Sequence, residues 1–229
     1  MHRLLFNISR PLRRYTNMAD DTYELIYWPT SPGRGEFIRL AFEESGTAYT
    51  DTAALISGAD AAVIAQTANT NLGTATSPPP LAPPILRHVR SSTTGDTVVI
   101  SQTANILQYL GSRLGLAPRP DVDDGVPAAC VNGLVLTALD GLCNEAHDTH
   151  HPLGVNGYYE DQKPAALERA EEYRVSRLPK FLEYFDRVLR GDASGTGPWL
   201  YGGELTVADL VLFQVGGKRV YWSGLYVIC

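Results

Sequence analysis

The stretch YELIYWPTSPGRGEFIRLAFEESG, Tyr23 to Gly46, sets three hydroxyls (Tyr27, Thr30, Ser31) and a Gly-Arg-Gly turn between a strand pattern and a helix pattern. Hydroxyls at the mouth of such a unit can donate hydrogen bonds to a bound group, and Arg34 within the turn carries a positive charge. No cysteine lies in this loop, so a protein thiol is not the nucleophile there. A second group with chemical potential is EAHDTHH, which spaces His147, His150 and His151 at i, i+3 and i+4 beside Glu145 and Asp148. That spacing can hold zinc. Histidines are also favoured in the last turn of a helix, where they cap free carbonyls, and this reading is preferred: no metal is expected.

The elements that must position these groups can be read from periodicity. Tyr23 to Trp28 alternates as a half-buried strand does, with Leu25 and Tyr27 on one face and Ile26 and Trp28 on the other. Pro29, Pro32, Gly33 and Gly35 break the pattern; from Glu36 the residues Phe37, Leu40 and Ala41 fall at helical spacing up to Gly46, a C-cap. Residues 53–82 are rich in Ala and Thr, weakly helical in their first half, and end in SPPPLAPP. ILRHV and TVVI, separated by RSSTTGD, read as a hairpin, and SQTANILQYLGSRLG as a helix with Ser101 at its N-cap and Ile106, Leu110 and Leu114 on one face. Strand, helix, two strands, helix implies an α/β layer over residues 22–116. APRPDVDDGVP marks a linker, taken as 117–126.

Residues 127–229 contain no convincing strand and read as a helical domain. Helices are expected over roughly 127–149 and 164–190, the latter with Leu178, Phe181, Leu182, Phe185 and Leu189 as its core stripe and a kink at Pro179. A third begins at LTVADLVLF, where Thr206 and Asp209 form an acidic capping box and Leu205 and Leu210 a hydrophobic staple.

Composition narrows the function classes. A chain of 229 residues, 44% hydrophobic, can bury a core of its own; a formal charge of −6 without Lys/Arg clusters in its body argues against nucleic acid as partner. Three cysteines (Cys130, Cys143, Cys229) with no CxxC pair suggest free thiols in a reducing compartment. No apolar run approaches the roughly 20 residues of a membrane span, so no membrane partner is expected. Residues 1–17 hold Arg3, Arg10, Arg13 and Arg14 and no acid, the composition of a mitochondrial presequence or of a disordered extension ahead of Met18; cytoplasmic and mitochondrial locations stay open.

Four patterns in order, YELIYWP…GRGEFIRL, APPIL, SQTANILQYLG and LTVADLVLF, resemble the cytosolic glutathione transferase family from about Tyr23 to Val215, and EAHDTHHPLGVNGYYEDQKP is similar to its fungal members. The resemblance implies a thioredoxin-like N-terminal domain that binds glutathione as co-substrate, a helical domain that supplies the site for a small hydrophobic electrophile, and a homodimer. Tyr27 matches the thiol-activating residue of the tyrosine-type enzymes if the loop holds one extra residue. Ser31, in WPTSP, is similar to the activating serine of another branch without any gap. Tyr27 is preferred. Arg34 stands where some members place an arginine that supports the thiolate. Gln102 and Thr103 match the pair that binds the γ-glutamyl carboxylate at a helix N-terminus, where free N–H groups and the dipole favour an anion.

Two prolines compete for the family's cis-proline. Spacing favours Pro84, preceded by Pro83, which has no N–H; the alternative is Pro83 preceded by Ala82. No residue for the glycyl carboxylate is readable, because residues 53–77 contain no Lys, Arg or Trp. After Val215 the sequence GGKRVYWSGLYVIC departs from the family. Its adjacent glycines are expected to end the third helix, and the ending suggests a truncated or alternatively spliced product. A non-catalytic, glutathione-binding isoform is therefore the second functional expectation.

Overall fold

The computed structural model describes residues 21–55, 57–90 and 96–220, with side chains as far as Gly216. The presequence reading, the hairpin tip and the chain beyond Val220 lie outside these residues.

Alternation in the first strand buries Tyr23 and Leu25 on one face and, at its end, Ile26 on the other. β1 (Thr22–Ile26) is an inner strand of a four-stranded sheet of order β2-β1-β3-β4, with β2 at Thr50–Asp51, β3 at Ile85–Arg90 and β4 at Asp96–Ser101. β2 is parallel to β1, whereas β3 is antiparallel to both β1 and β4. On one face Tyr23, Leu25 and Tyr27 join the main core with Phe37, Ile38 and Phe42 of α1 (Glu36–Ser45) and Ile106, Leu107 and Leu110 of α3 (Thr103–Arg113). On the other, Ile26 and Ile85 pack against Val63 of α2 (Ala59–Thr67). Gly46 ends α1 at φ +67°, its N–H on the Glu43 carbonyl while Thr47 N–H reaches Phe42, so the expected glycine cap is formed. Ser101 is not the N-cap of α3. It closes β4 opposite Ile85, and Gln102 takes the cap position.

The helical part begins with one rod made of α4 (Val126–Leu136), a π-helical turn at Thr137–Cys143 and α5 (Asn144–Asp148). By length and composition the helical run over 123–148, kinked at Asp124 and Gly125, is apolar enough to cross a bilayer, which the sequence reading did not anticipate. Here Val131, Leu134, Val135, Ala138, Leu139 and Leu142 of that rod sit in the main core. A second rod starts at Tyr159, five residues ahead of the expected Pro164: α6 (Tyr159–Glu172), a π turn at Tyr173–Arg177 and α7 (Leu178–Arg190). Pro179 lacks the N–H that would bond one turn back, and the helix widens just before it. The stripe on α7 is narrower than expected. Phe181 and Phe185 are buried, Leu178 is partly so, and Leu182 and Leu189 are exposed.

α8 (Val207–Val220) is capped as predicted. Asp209 Oδ2 accepts from Thr206 N–H at 2.7 Å and Thr206 Oγ1 at 2.8 Å, while Asp209 Oδ1 takes Leu200 N–H at 2.8 Å. Gly216 and Gly217 do not stop it; the helix continues to Val220. Val207 N–H also bonds the Leu116 carbonyl at 2.8 Å, and Gly111 of α3 lies where an added Cβ would meet Ala117 at 2.9 Å and Val207 at 3.4 Å. The sheet and the helices share one core cluster.

Candidate active site

The sheet register gathers the predicted residues at one end. Ile26 pairs with Ile85 and Ile85 with Ser101, so Tyr27, Pro84 and Gln102 leave the same end on adjacent strands, successive strands being about 4.8 Å apart. The peptide between Pro83 and Pro84 is cis, which resolves the choice between the two prolines in favour of Pro84. Pro84 is buried and Ala82 exposed. The residue ahead of the cis bond is then Pro83, which offers a carbonyl but no N–H. Gln102 is exposed and held at φ +73° and ψ 122°, a region uncommon for residues other than glycine. No side chain caps α3, so the N–H groups of its first turn remain open to an anion beside the buried Thr103.

Tyr27 lies just past the end of β1 and is only 7% exposed. Its backbone N–H donates to Thr52 Oγ1 at 3.1 Å, and its phenol oxygen accepts the Arg34 backbone N–H at 2.7 Å. Two glycines make room for the ring. A Cβ on Gly33 would fall 2.2 Å from the Tyr27 oxygen, one on Gly35 would fall 2.8 Å from the ring, and Gly33 already sits at φ +38°. Ser31 Oγ lies 3.2 Å from that same Gly33 position, so both candidate hydroxyls converge over one glycine. Thr30 is exposed at φ +63°, and Trp28, outside the strand, is 40% exposed.

The Arg34 side chain leaves the sheet and donates from Nη2 to Oδ1 of Asn144, the first residue of α5. Arg39 is the neighbouring cation on α1 and is engaged by Asp51 at 2.6 Å and Glu36 at 3.0 Å. Thr52 and Asn144 went unremarked in the sequence. Thr52 comes straight after a strand of only two residues, too short to show a period, and Asn144 was overshadowed by the histidines behind it.

Those histidines do not share one helical face, since α5 ends at Asp148. His147 packs ring to ring with His151 at 5.5 Å, and His150 with Tyr159 at 5.1 Å. Burial, then the neighbouring His151 and His147, push the His150 imidazole below its ordinary pKa. Among the described residues no group of three or more His, Cys, Asp or Glu has metal-holding geometry.

The family model for the glutathione S-transferase C-terminal domain matches residues 147–218. A sigma-class glutathione transferase from Fasciola hepatica superposes with a TM-score of 0.60 at 15% identity, over 88% of this chain and 80% of its own. A Nu-class enzyme from Haemonchus contortus superposes with a TM-score of 0.55 at 20% identity, over 90% and 84%. A maleylacetoacetate isomerase from Anaeromyxobacter dehalogenans with glutathione bound in its active site gives 0.55 at 19% identity, again over 90% and 84%. No curated protein sequence matches. The fold is therefore the one these proteins share, a thioredoxin-like layer followed by a helical domain.

Proposed function

We propose that the chain is a glutathione transferase, which ionises the thiol of bound glutathione at Tyr27 for attack on a small hydrophobic electrophile. The observation that carries the reading is the 2.7 Å hydrogen bond from Arg34 N–H to the Tyr27 oxygen, at the sheet end that also bears cis-Pro84 and the open start of α3. An amide N–H donated to a phenol oxygen polarises its O–H and leaves that O–H to donate elsewhere. The acceptor is the glutathione sulfur, whose charged form gains a hydrogen bond that the neutral thiol does not hold as strongly. A free thiol near pKa 8.5 is mostly protonated at neutral pH, and each unit of lowering is worth about 1.4 kcal/mol. The thiol proton passes to solvent, the thiolate forms a C–S bond, and the leaving group departs from the electrophile with its electron pair.

The γ-glutamyl carboxylate is assigned to the N-terminus of α3, with Gln102 and Thr103 around it, and the cysteinyl unit to the backbone at Pro83 and Pro84. Arg34 adds electrostatic support to the thiolate. The surface for the electrophile is assigned to the helical domain, as the family resemblance implies. A homodimer with a role in detoxification is implied by the family resemblance and belongs to the same proposal.

A second reading is favoured by Pro83, whose missing N–H removes a donor to the cysteinyl unit, and by the absence of any cation from residues 53–77. On that reading the protein holds glutathione without turning it over. Retention on immobilised glutathione, paired with conjugation to a chromogenic aryl halide, separates the two. Retention with turnover supports the first, retention without turnover selects the second, and failure of both removes glutathione from the account.

A further inference from the structure

We propose that Asn144 is a positioning residue for the Tyr27 centre: it tethers Arg34 from the helical domain through an uncharged acceptor and so leaves the full positive charge of Arg34 for the bound sulfur. The inference rests on the proposed transferase function. Arg34 acts twice at this point, with its backbone N–H on the Tyr27 oxygen at 2.7 Å and its Nη2 on Asn144 Oδ1. Fixing the side chain therefore fixes the turn whose amide holds the phenol.

The far end of the tether is built rather than incidental. Asn144 N–H reaches back to the Leu139 and Gly141 carbonyls across the π turn, and the extra residue of such a turn rotates the next residues about the helix axis. Behind it the buried Tyr173 hydroxyl donates to the Leu142 carbonyl at 3.0 Å. Glu145, the adjacent acid, is held by Arg177 through two bonds of 2.7 and 2.6 Å, and Arg177 keeps its carboxyl below the ordinary range. The nearest carboxylate along the chain is thus paired elsewhere, and the group that meets Arg34 is neutral. A carboxylate at position 144 would make an equally good acceptor and would cancel the charge that a thiolate needs.

Asn144→Asp and Asn144→Ala in the full chain test this. In Asn144→Asp the acceptor survives. The thiol of bound glutathione, tracked by thiolate absorbance, is expected to titrate about one unit higher. In the same variant kcat/KM for conjugation at pH 6.5 should fall about tenfold and recover above pH 8.5. In Asn144→Ala the tether is lost, and hydrogen exchange of the Arg34 amide in the ligand-free protein should speed up at least fivefold. An unchanged titration and pH profile in Asn144→Asp overturns the charge argument; unchanged Arg34 exchange in Asn144→Ala overturns the tether. The exchange measurement needs no glutathione. A parent protein that fails to bind the tripeptide therefore sinks the proposed function while the tether is still decided.

Discussion

Removing one oxygen atom from Tyr27 tests the proposed chemistry most directly. In Tyr27→Phe the ring keeps its place beneath Gly33 and Gly35, and only the acceptor of the Arg34 N–H and the donor to sulfur disappear. Hydrogen bonds to charged groups contribute about 1.5–3 kcal/mol, so the bound thiol should rise by about 1–2 pKa units. Conjugation at pH 6.5 should then fall by about 10- to 100-fold, and the gap to the parent should close as pH climbs towards the free thiol value. Because Arg34 is partly exposed, water can replace the lost acceptor, and folding should weaken by no more than about 1 kcal/mol. The assay is kcat/KM against pH with an aryl halide, alongside thiolate absorbance of the glutathione complex. Ser31→Ala is the control and should stay within about threefold, since its hydroxyl is not the assigned donor. A Phe variant within twofold of the parent at pH 6.5, together with a tenfold loss in Ser31→Ala, would refute the assignment and move it to the serine.

Three more outcomes are expected. Gly33→Ala puts a Cβ 2.2 Å from the Tyr27 oxygen at a φ of +38°, so activity should fall along with Tyr27→Phe and the melting temperature should drop by roughly 4–8 °C, for a strain of about 2 kcal/mol. Asp209→Ala leaves Leu200 N–H and Thr206 N–H without their acceptor and should cost about 2–4 kcal/mol, read as a lower urea midpoint at unchanged slope. His88 is buried between Tyr109 at 2.8 Å and Asp21 at 3.0 Å, and burial outweighs Asp21 in pulling its imidazole below the ordinary 6.5. The unfolded chain then binds a proton more readily than the folded one, so this contribution is complete above 6.5 and is lost as pH falls below it. The urea midpoint should rise between about pH 5 and 7, and His88→Gln should flatten that rise.

The parts of the fold that could be read were those with a local cause. Gly46 signals its cap because left-handed backbone favours glycine, and Thr206 with Asp209 signals a helix start because both side chains satisfy N–H groups within one turn. The misleading positions were decided at a distance. Ser101 looks like a cap, but pairing with Ile85 keeps it in the sheet. Leu182 and Leu189 look like core, but Phe181 and Phe185 take the buried face of α7 and the two leucines stay exposed. At the candidate site, Tyr27, Ser31, Arg34, Ala82, Pro83, Pro84, Gln102 and Thr103 were legible as candidates because they lie at element ends and in turns, where pattern changes are visible. The contact of Asn144 with Arg34 was not, because it follows a π turn and joins positions 110 apart along the chain.

The seam at Gly111, Ala117 and Val207, closed by the Leu116 carbonyl, has a consequence for how the molecule comes apart. A protease that nicks the proline-rich connector should release nothing, because the two fragments interlock through a common greasy interior and each alone would present that interior to water. Heating should likewise dissolve both halves in one step, with no stage at which the sheet melts while the helices endure.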